Sequence, residues 1–525
     1  MSATKPTIFK KKILHYLMLL GLVLLAAVTP LVMYWADNLG QVRPIVVMDP
    51  LLVILLCAFL LFNLVLLVLR SLPKTTLLMF LILFIFFTYG HAALLLPETS
   101  IFTSFHLLLL YLLLFLVGSV LIFRVKKVSV DVFLFLAGVT GLLLAFNIVH
   151  IIRYDPRLTS RVSAAPVVAA NELQTGEQPD IYVIILDAYS RNDILQEVYG
   201  FDNSEFLDGL RQRGFYLPDC AFSNYDSTYD AMSSLWNMNY VDTMGIENDS
   251  LGILSASQTD LILNNQARQT FKSLGYQFVT TRGYGSFNDI LDADVYLNYY
   301  NAQGKEDVLE EQSFVSLFLQ TTLFRATGEA SAVNPPNTVY PVDQSQEVNQ
   351  GTLAYQESDF WYHQTNYVFD SLAQLPDAPG NYLVYAHVNA PHGPYVFNRD
   401  GNFRFAPDLT HESEYYIDSI VYLNQRVLDL IDRLIANSDT PPIIILQADH
   451  GTHYFVNGIS KHKILSAYYL PGEIDLAPYP TITPVNDFRI ILHNYFDPSV
   501  ELLPDMLYVM QSGKYLAIKA SCDLK

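Results

Sequence analysis

The sequence predicts two parts of different class: an N-terminal all-α transmembrane bundle of five helices, then an α/β domain with a mainly parallel sheet. Three observations predict this. Five long apolar runs occupy the first 152 of 525 residues. After residue 180, short continuous apolar runs alternate with stretches of helical period. Three of those short runs lead into Asp or His, which is how an open α/β sheet delivers reactive groups to one edge.

The apolar runs are Ile13–Trp35, Leu51–Leu69, Thr75–Leu96, Ile101–Phe123 and Val132–Ile152. Each is near the roughly 20 residues that cross a hydrocarbon core as a helix. A cleaved signal peptide has a shorter apolar core, and four further spans would not follow it. Lys10, Lys11 and Lys12 precede the first run, Arg70 and Lys74 separate the second and third, and Arg124, Lys126 and Lys127 follow the fourth. The other two loops hold only Arg43 among Asp37, Asp49 and Glu98. This alternation predicts a multi-pass cell-membrane protein with a cytoplasmic N-terminus and an extracytoplasmic remainder. The main polar interruptions are His15, Asn63, His91, His106 and Asn147. Ion-coupled carriers place ionisable groups at membrane depth. Their scarcity favours an anchor or lipid-facing platform over a transport path.

The expected organisation is therefore an anchor over 1–152, a linker over 153–179 and one extracytoplasmic domain over 180–525. Up to Ile152 there are 10 Lys and Arg against 4 Asp and Glu, a net of +6. The whole chain carries −20, which leaves −26 for the remainder. An exterior this acidic excludes nucleic acid or another polyanion as a broad-surface partner. Its plainest meaning is solubility in a salty or divalent-rich medium. Cys57 lies in a span, so Cys220 and Cys522 allow one disulfide and no framework. There is no Cys/His zinc module and no internal repeat.

In the outer part, Ile181–Leu186 is apolar throughout, as in a strand buried on both faces. Asp260–Leu274 reads as a helix stopped by Gly275, with a strand at Tyr276–Thr280. Further on come a helix near Asp359–Leu375, strand Tyr382–Ala386, helix Glu414–Ile435 and strand Ile443–Gln447. In the last of these helices Ile417, Ile420, Val427, Ile431 and Leu434 share one apolar face. Pro335 and Pro336 mark an irregular insertion.

The run ends carry the chemistry. The first reaches Asp187; a second leads to His387 and then Pro391-His392; a third reaches Asp449-His450-Gly451. A carboxylate beside an imidazole at a strand tip is costly to bury, and a metal ion is the usual reason for it. Ser223–Thr228 opens a helix that Asp226 or Ser227 can cap. A hydroxyl in its first turn faces the positive end of the helix dipole. Thr228 is best placed as nucleophile, with Ser227, Ser233 and Ser234 as alternatives, or with Thr228 as no more than a cap residue. The alternative for Asp449 and His450 is a structural hydrogen-bonded pair, and His387 could be a satisfied core histidine. His453 reads as a rim residue. Lys461, His462 and Lys463 read as a solvated loop or as a grip for an anionic substrate.

These residues, in this order, resemble the sulfatase-like branch of the alkaline phosphatase superfamily. The layout of five anchor helices and an outer domain is similar to lipoteichoic acid synthases and phosphoethanolamine transferases. The resemblance implies Asp187, Asp449 and His450 as metal ligands, with Thr228 as nucleophile and fourth ligand. It implies His392 as the substrate-side histidine, with His387 sharing that work. Such a donor set suits Mn²⁺ first, then Mg²⁺ or Zn²⁺, and Ca²⁺ less well. It further implies transfer of a phospholipid head group to an envelope glycan or lipid. A hydrolase of phosphate or sulfate esters, or a silent envelope scaffold, are the alternatives. Three departures stand out. Cys220-Ala221-Phe222 does not match the Cys-x-Pro-x-Arg pattern that sulfatases convert to formylglycine, and Ala188 and Ala231 stand where relatives often have acidic and hydroxyl residues.

Overall fold

The structure, a computed structural model, describes residues 5–96, 104–155, 158, 178–244, 253–305, 307–327, 352–406, 411–452, 456, 458–511 and 514–524. Pro335, Pro336, His453 and most of the expected linker lie outside the described residues. Two compact units emerge: Met1–Thr159 with Val308–Thr338, and Ser160–Asp307 with Val339–Lys525.

The first unit is built on α1 (Lys5–Ala36), α2 (Met48–Leu69), α3 (Leu72–Leu94), α4 (Ser104–Arg124) and α5 (Val130–Tyr154). All five are long and apolar enough to cross a membrane. Leu20, Val23, Phe62 and Met79 join α1, α2 and α3 in a small core, while Leu52, Leu56, Leu60 and Leu64 on α2 stay exposed. Apolar side chains left outside suit a helix whose solvent is lipid. The helix Leu309–Gln320 belongs with this unit, since its Phe314 and Phe318 pack with Leu31 and Phe87. Its Glu310 pairs with Arg43. Gly90 permits the close approach of the following turn: a Cβ there would meet the Thr321 carbonyl carbon at 2.2 Å.

The second unit runs through β1 (Ile181–Leu186), α6 (Asn192–Tyr199), α7 (Ser204–Gln212), α8 (Thr228–Asn237), α9 (Ile253–Leu263), α10 (Gln266–Ser273), β2 (Gln277–Thr281), β3 (Val295–Leu297) and α11 (Tyr299–Ala302). After the helix already described (α12, Leu309–Gln320) come α13 (Leu353–Leu372), β4 (Tyr382–Val388), α14 (Glu412–Asn437), β5 (Ile443–Gln447) and β6 (Ser466–Tyr469). The chain ends in α15 (Asp487–Tyr495), β7 (Met506–Gln511) and β8 (Lys514–Lys519). The sheet order is β3-β2-β4-β1-β5-β6. Every pairing is parallel except β5 with β6.

All six residues of β1 are buried, as its unbroken apolar run demands. Alternate residues Ile181, Val183 and Ile185 face a core that includes Trp236, Phe271, Phe278 and Phe488. The sheet also departs from expectation. The single helix expected over Asp260–Leu274 is two, because Asn265 breaks it and its side chain caps α10 through Arg268 N at 2.7 Å. Strands β3, β6, β7 and β8 had no clear sequence signal.

Cys220 is bonded to Cys522, with 5.2 Å between Cα atoms. The bridge fastens the β7–β8 hairpin, where Tyr508 stacks on Tyr225 at 4.9 Å, to the chain just before α8. It closes a loop of 302 residues, so its loss frees a large unfolded ensemble. Cys522→Ser should cost about 2–4 kcal/mol, read as a lower melting temperature that reductant reproduces in the wild type and not in the variant.

Asp487, at the start of α15, is fully buried and accepts from the Tyr468 hydroxyl at 2.7 Å. Burial pushes its carboxyl up to about 8; the Tyr468 and Gln447 donors offset only part of this. The folded protein thus keeps a proton that the unfolded chain releases near pH 4. This group's stabilising contribution is full below that value and is lost as pH rises toward 8. Asp487→Asn should flatten the fall of stability between pH 5 and 8, measured by denaturant unfolding across that range.

Candidate active site

The parallel order places β1 between β4 and β5, so three carboxyl ends open side by side. In register, Ile185 pairs with His387 on one flank and Gln447 on the other. Two residues beyond these pairs, Asp187 and Asp449 leave adjacent strands on the same face. Asp187, Asp449 and His450 offer ligand atoms that all lie within 4.8 Å of one another, and all three are buried.

Each donor has its other atom engaged. Asp449 Oδ1 accepts from Ala188 N at 3.1 Å and His450 N at 2.9 Å, which leaves Oδ2 turned inward. His450 Nδ1 meets Gly451 O at 2.8 Å, so Nδ1 carries the proton and Nε2 presents its lone pair. That Nε2 faces Asp449 Oδ2 at 3.4 Å and Asp187 Oδ1 at 3.7 Å. Asp187 Oδ1 is buried with no hydrogen-bond partner. A buried orphan oxygen beside a second carboxylate and an imidazole is what a divalent cation would satisfy, so these residues fit a metal.

The electrostatics agree. Burial would raise the Asp187 carboxyl, yet His392, His387 and His450 together hold it well below the usual carboxylate range. Burial lowers His450, and Asp449 and Asp187 more than reverse it, so its basicity is raised. A site that draws a proton to His450 draws any cation. Ala188 takes a left-handed φ of 61°. That strained turn sends its N–H to Asp449 while its carbonyl accepts from Tyr416 at 2.8 Å.

Thr228 is the first residue of α8, and Ser227 caps the helix by accepting from Asp230 N. Thr228 Oγ1 donates to Asp449 Oδ2 at 2.7 Å and lies 3.3 Å from His450 Nε2. Of the alternative hydroxyls, Ser227 is held by Asp230 Oδ2 at 2.8 Å, while Ser233 and Ser234 are fully buried. The structure thus brings Asp187, Thr228, Asp449 and His450 together.

His392 is half-buried on the open side. Its backbone N–H donates to Asp187 O at 3.1 Å, and Nδ1 meets Gly393 O at 2.7 Å, so the ring is held through Nδ1 rather than Nε2. The ring lies 6.0 Å from that of Tyr284. His387 is placed otherwise: its side chain is 3% exposed, behind Asp187, with Nε2 at 3.4 Å from Oδ2.

Sequence reasoning missed His462. Flanked by two lysines, it reads as solvent-facing, yet it is 0% exposed. Its Nδ1 meets Ser223 O at 3.2 Å, and its buried Nε2 has no partner. Burial lowers its basicity, with His450 and Lys461 adding to this and Asp226 opposing. Lys463 is not a loose grip either, since it pairs with Asp193 at 2.9 Å. Gly451 explains the third residue of the tripeptide: a Cβ would come within 2.8 Å of Lys463 O and 2.9 Å of Lys461 O. Only glycine lets the backbone at 451 pass this close to the Lys461 and Lys463 carbonyls.

Comparison with known proteins decides the family. The family model described as Sulfatase matches residues 179–476. The chain belongs to the sulfatase family. No curated protein matches this sulfatase-family chain. Among solved structures it is similar to the integral membrane lipooligosaccharide phosphoethanolamine transferase A from Neisseria meningitidis, at 12% identity over 90% of this chain and 95% of that one, TM-score 0.39. It is similar to the zinc complex of the C-terminal periplasmic domain of EptC from Escherichia coli, at 12% identity over 67% and 96%, TM-score 0.39. A third similarity is to the lipoteichoic acid synthase LtaP from Listeria monocytogenes, at 10% identity over 69% and 88%, TM-score 0.38. In this chain the Cys220 sulfur is bonded to Cys522, and the Thr228 hydroxyl lies beside the cluster of Asp187, Asp449 and His450.

Proposed function

We propose that this sulfatase-family membrane protein is a metal-dependent phosphotransferase that works through a covalent Thr228 intermediate, moving a phospholipid head group to an envelope glycan or lipid. The reading includes an anchor over 1–152, a linker over 153–179, a cytoplasmic N-terminus and an extracytoplasmic catalytic domain over 180–525. The Cys220–Cys522 disulfide supports that side of the membrane, since such bonds persist in oxidising compartments. The observation that carries the reaction is Thr228: a hydroxyl at a helix N-terminus, 2.7 Å from Asp449 and 3.3 Å from His450.

Asp187, Thr228, Asp449 and His450 would hold one divalent metal, with Mn²⁺ first among the candidates. Bound there, it would lower the Thr228 pKa and offset charge on the phosphoryl oxygens. Thr228 Oγ1, its proton given up to solvent, attacks phosphorus at the N-terminus of α8, which favours the anion. The phosphorus–oxygen bond to the diglyceride breaks, and His392 Nε2 supplies the proton to the leaving oxygen. His392 then takes a proton from the acceptor hydroxyl, which attacks phosphorus and releases Thr228. Transfer to water in the second step would give a hydrolase on the same residues. The anchor keeps the site near its lipid donor.

The test is release of diglyceride from phosphatidylglycerol or phosphatidylethanolamine vesicles by the full-length protein with Mn²⁺. Release that needs Thr228 and grows with an added glycan acceptor supports the reading. Equal release by wild type and Thr228→Ala would sink it.

A further inference from the structure

We infer that Tyr385 and His387 form a positioning pair that holds Asp187 from behind, aiming one of its oxygens at the metal position. The inference rests on the proposed metal reading and adds two residues to it. Tyr385 and His387 lie two apart on β4 and so share a face of the sheet. Tyr385 is 1% exposed, and its ring packs edge-on against Trp236 at 4.7 Å. That packing fixes where its hydroxyl points: at His387 Nδ1, 2.9 Å away.

The direction of this bond sets the imidazole. A buried neutral phenol must donate its proton, and His387 Nδ1 is the acceptor within reach among the described residues. With Nδ1 accepting, the ring proton resides on Nε2. That nitrogen lies 3.4 Å from Asp187 Oδ2, within ion-pair reach, and makes no hydrogen bond in the structure. Its contact marks Oδ2 as the oxygen that His387 faces and leaves Oδ1 as the donor, in agreement with the lack of any hydrogen-bond partner on Oδ1. The carboxylate opposite is aimed by backbone N–H groups on Asp449 Oδ1, which turn Oδ2 toward Thr228 and His450. Metal-site ligands commonly depend on such outer partners, whose removal costs roughly 10–100-fold in affinity.

The measurement is Mn²⁺ affinity of the full-length protein in detergent, by titration calorimetry at fixed pH, with melting temperature recorded for each variant. Tyr385→Phe, which deletes one atom, should bind Mn²⁺ roughly 10–100-fold more weakly. His387→Leu should do the same, whereas His387→Gln, whose amide N–H can reach the place of Nε2, should recover most of the affinity. Wild-type affinity in both Tyr385→Phe and His387→Leu, with affinity lost in Asp187→Ala, would overturn the positioning role and leave the metal reading intact. Wild-type affinity in Asp187→Ala would overturn the metal reading itself. A uniform drop in melting temperature with unchanged affinity would also overturn the inference, because it would show packing alone.

Discussion

Thr228→Ala is expected to abolish turnover, by a factor on the order of 10⁴ or more, as loss of a covalent nucleophile does elsewhere. The same change should leave the fold almost untouched. Thr228 is half-buried, and the cap of α8 is the neighbouring Ser227. Its hydroxyl makes its bond to Asp449 Oδ2, an oxygen the proposed metal would take over. The melting temperature should therefore stay within a few degrees of wild type, and Thr228→Ser should retain substantial activity. Steady-state rates on a lipid donor, beside a thermal melt, check both halves. A Thr228→Ala enzyme within tenfold of wild type would move the nucleophile to another oxygen.

Asp449→Asn is the second large effect, and it carries a sign that separates metal chemistry from mere structure. Asparagine keeps an acceptor for Ala188 N and His450 N, the bonds that hold residue 449 in place. What it removes is charge, beside Asp187 in a buried cluster. With chelator present, two facing carboxylates repel, so the substitution should leave stability unchanged or slightly raised. With Mn²⁺ present, the wild type should gain melting temperature by mass action, and the variant should not. Metal affinity should fall by more than the roughly 100-fold typical of an outer-shell loss, with activity falling alongside it. Melting curves with chelator and with Mn²⁺, for both proteins, read this out. A variant that melts lower in chelator and gains as much from Mn²⁺ as wild type would make Asp449 a structural residue.

Some of this was written plainly in the sequence. Ile181–Leu186 is an uninterrupted apolar run and Ile443–Leu446 is another, closed by Gln447, and the strands run over Ile181–Leu186 and Ile443–Gln447. Buried parallel strands leave that signature because both faces need apolar cover. Asp187 and Asp449 could be placed at strand ends for the same reason, and Thr228 from the cap preceding it. What escaped depends on contacts far apart in the chain. His462 looks solvated between two lysines, and its burial arises against Ser223, 239 residues away. Strand β6 has four residues and is antiparallel to β5, so no crossover helix announces it. Asn265 breaks a helix that periodicity alone extends, because side-chain capping competes with helix continuation. Residues 308–327 give no sign that Phe314 and Phe318 pack with α1 and α3. The disulfide partners were visible as residues, and their union was not.

The central claim is a phosphorylated Thr228 intermediate, and intact mass tests it most directly. Full-length protein is incubated with Mn²⁺ and phosphatidylglycerol or phosphatidylethanolamine, without acceptor, beside Thr228→Ala. The wild type alone should gain the mass of the donor's phosphorylated head group, mapped by fragmentation to Thr228. The same gain on Thr228→Ala, or metal-dependent turnover with no adduct on the wild type under rapid quench, would contradict it.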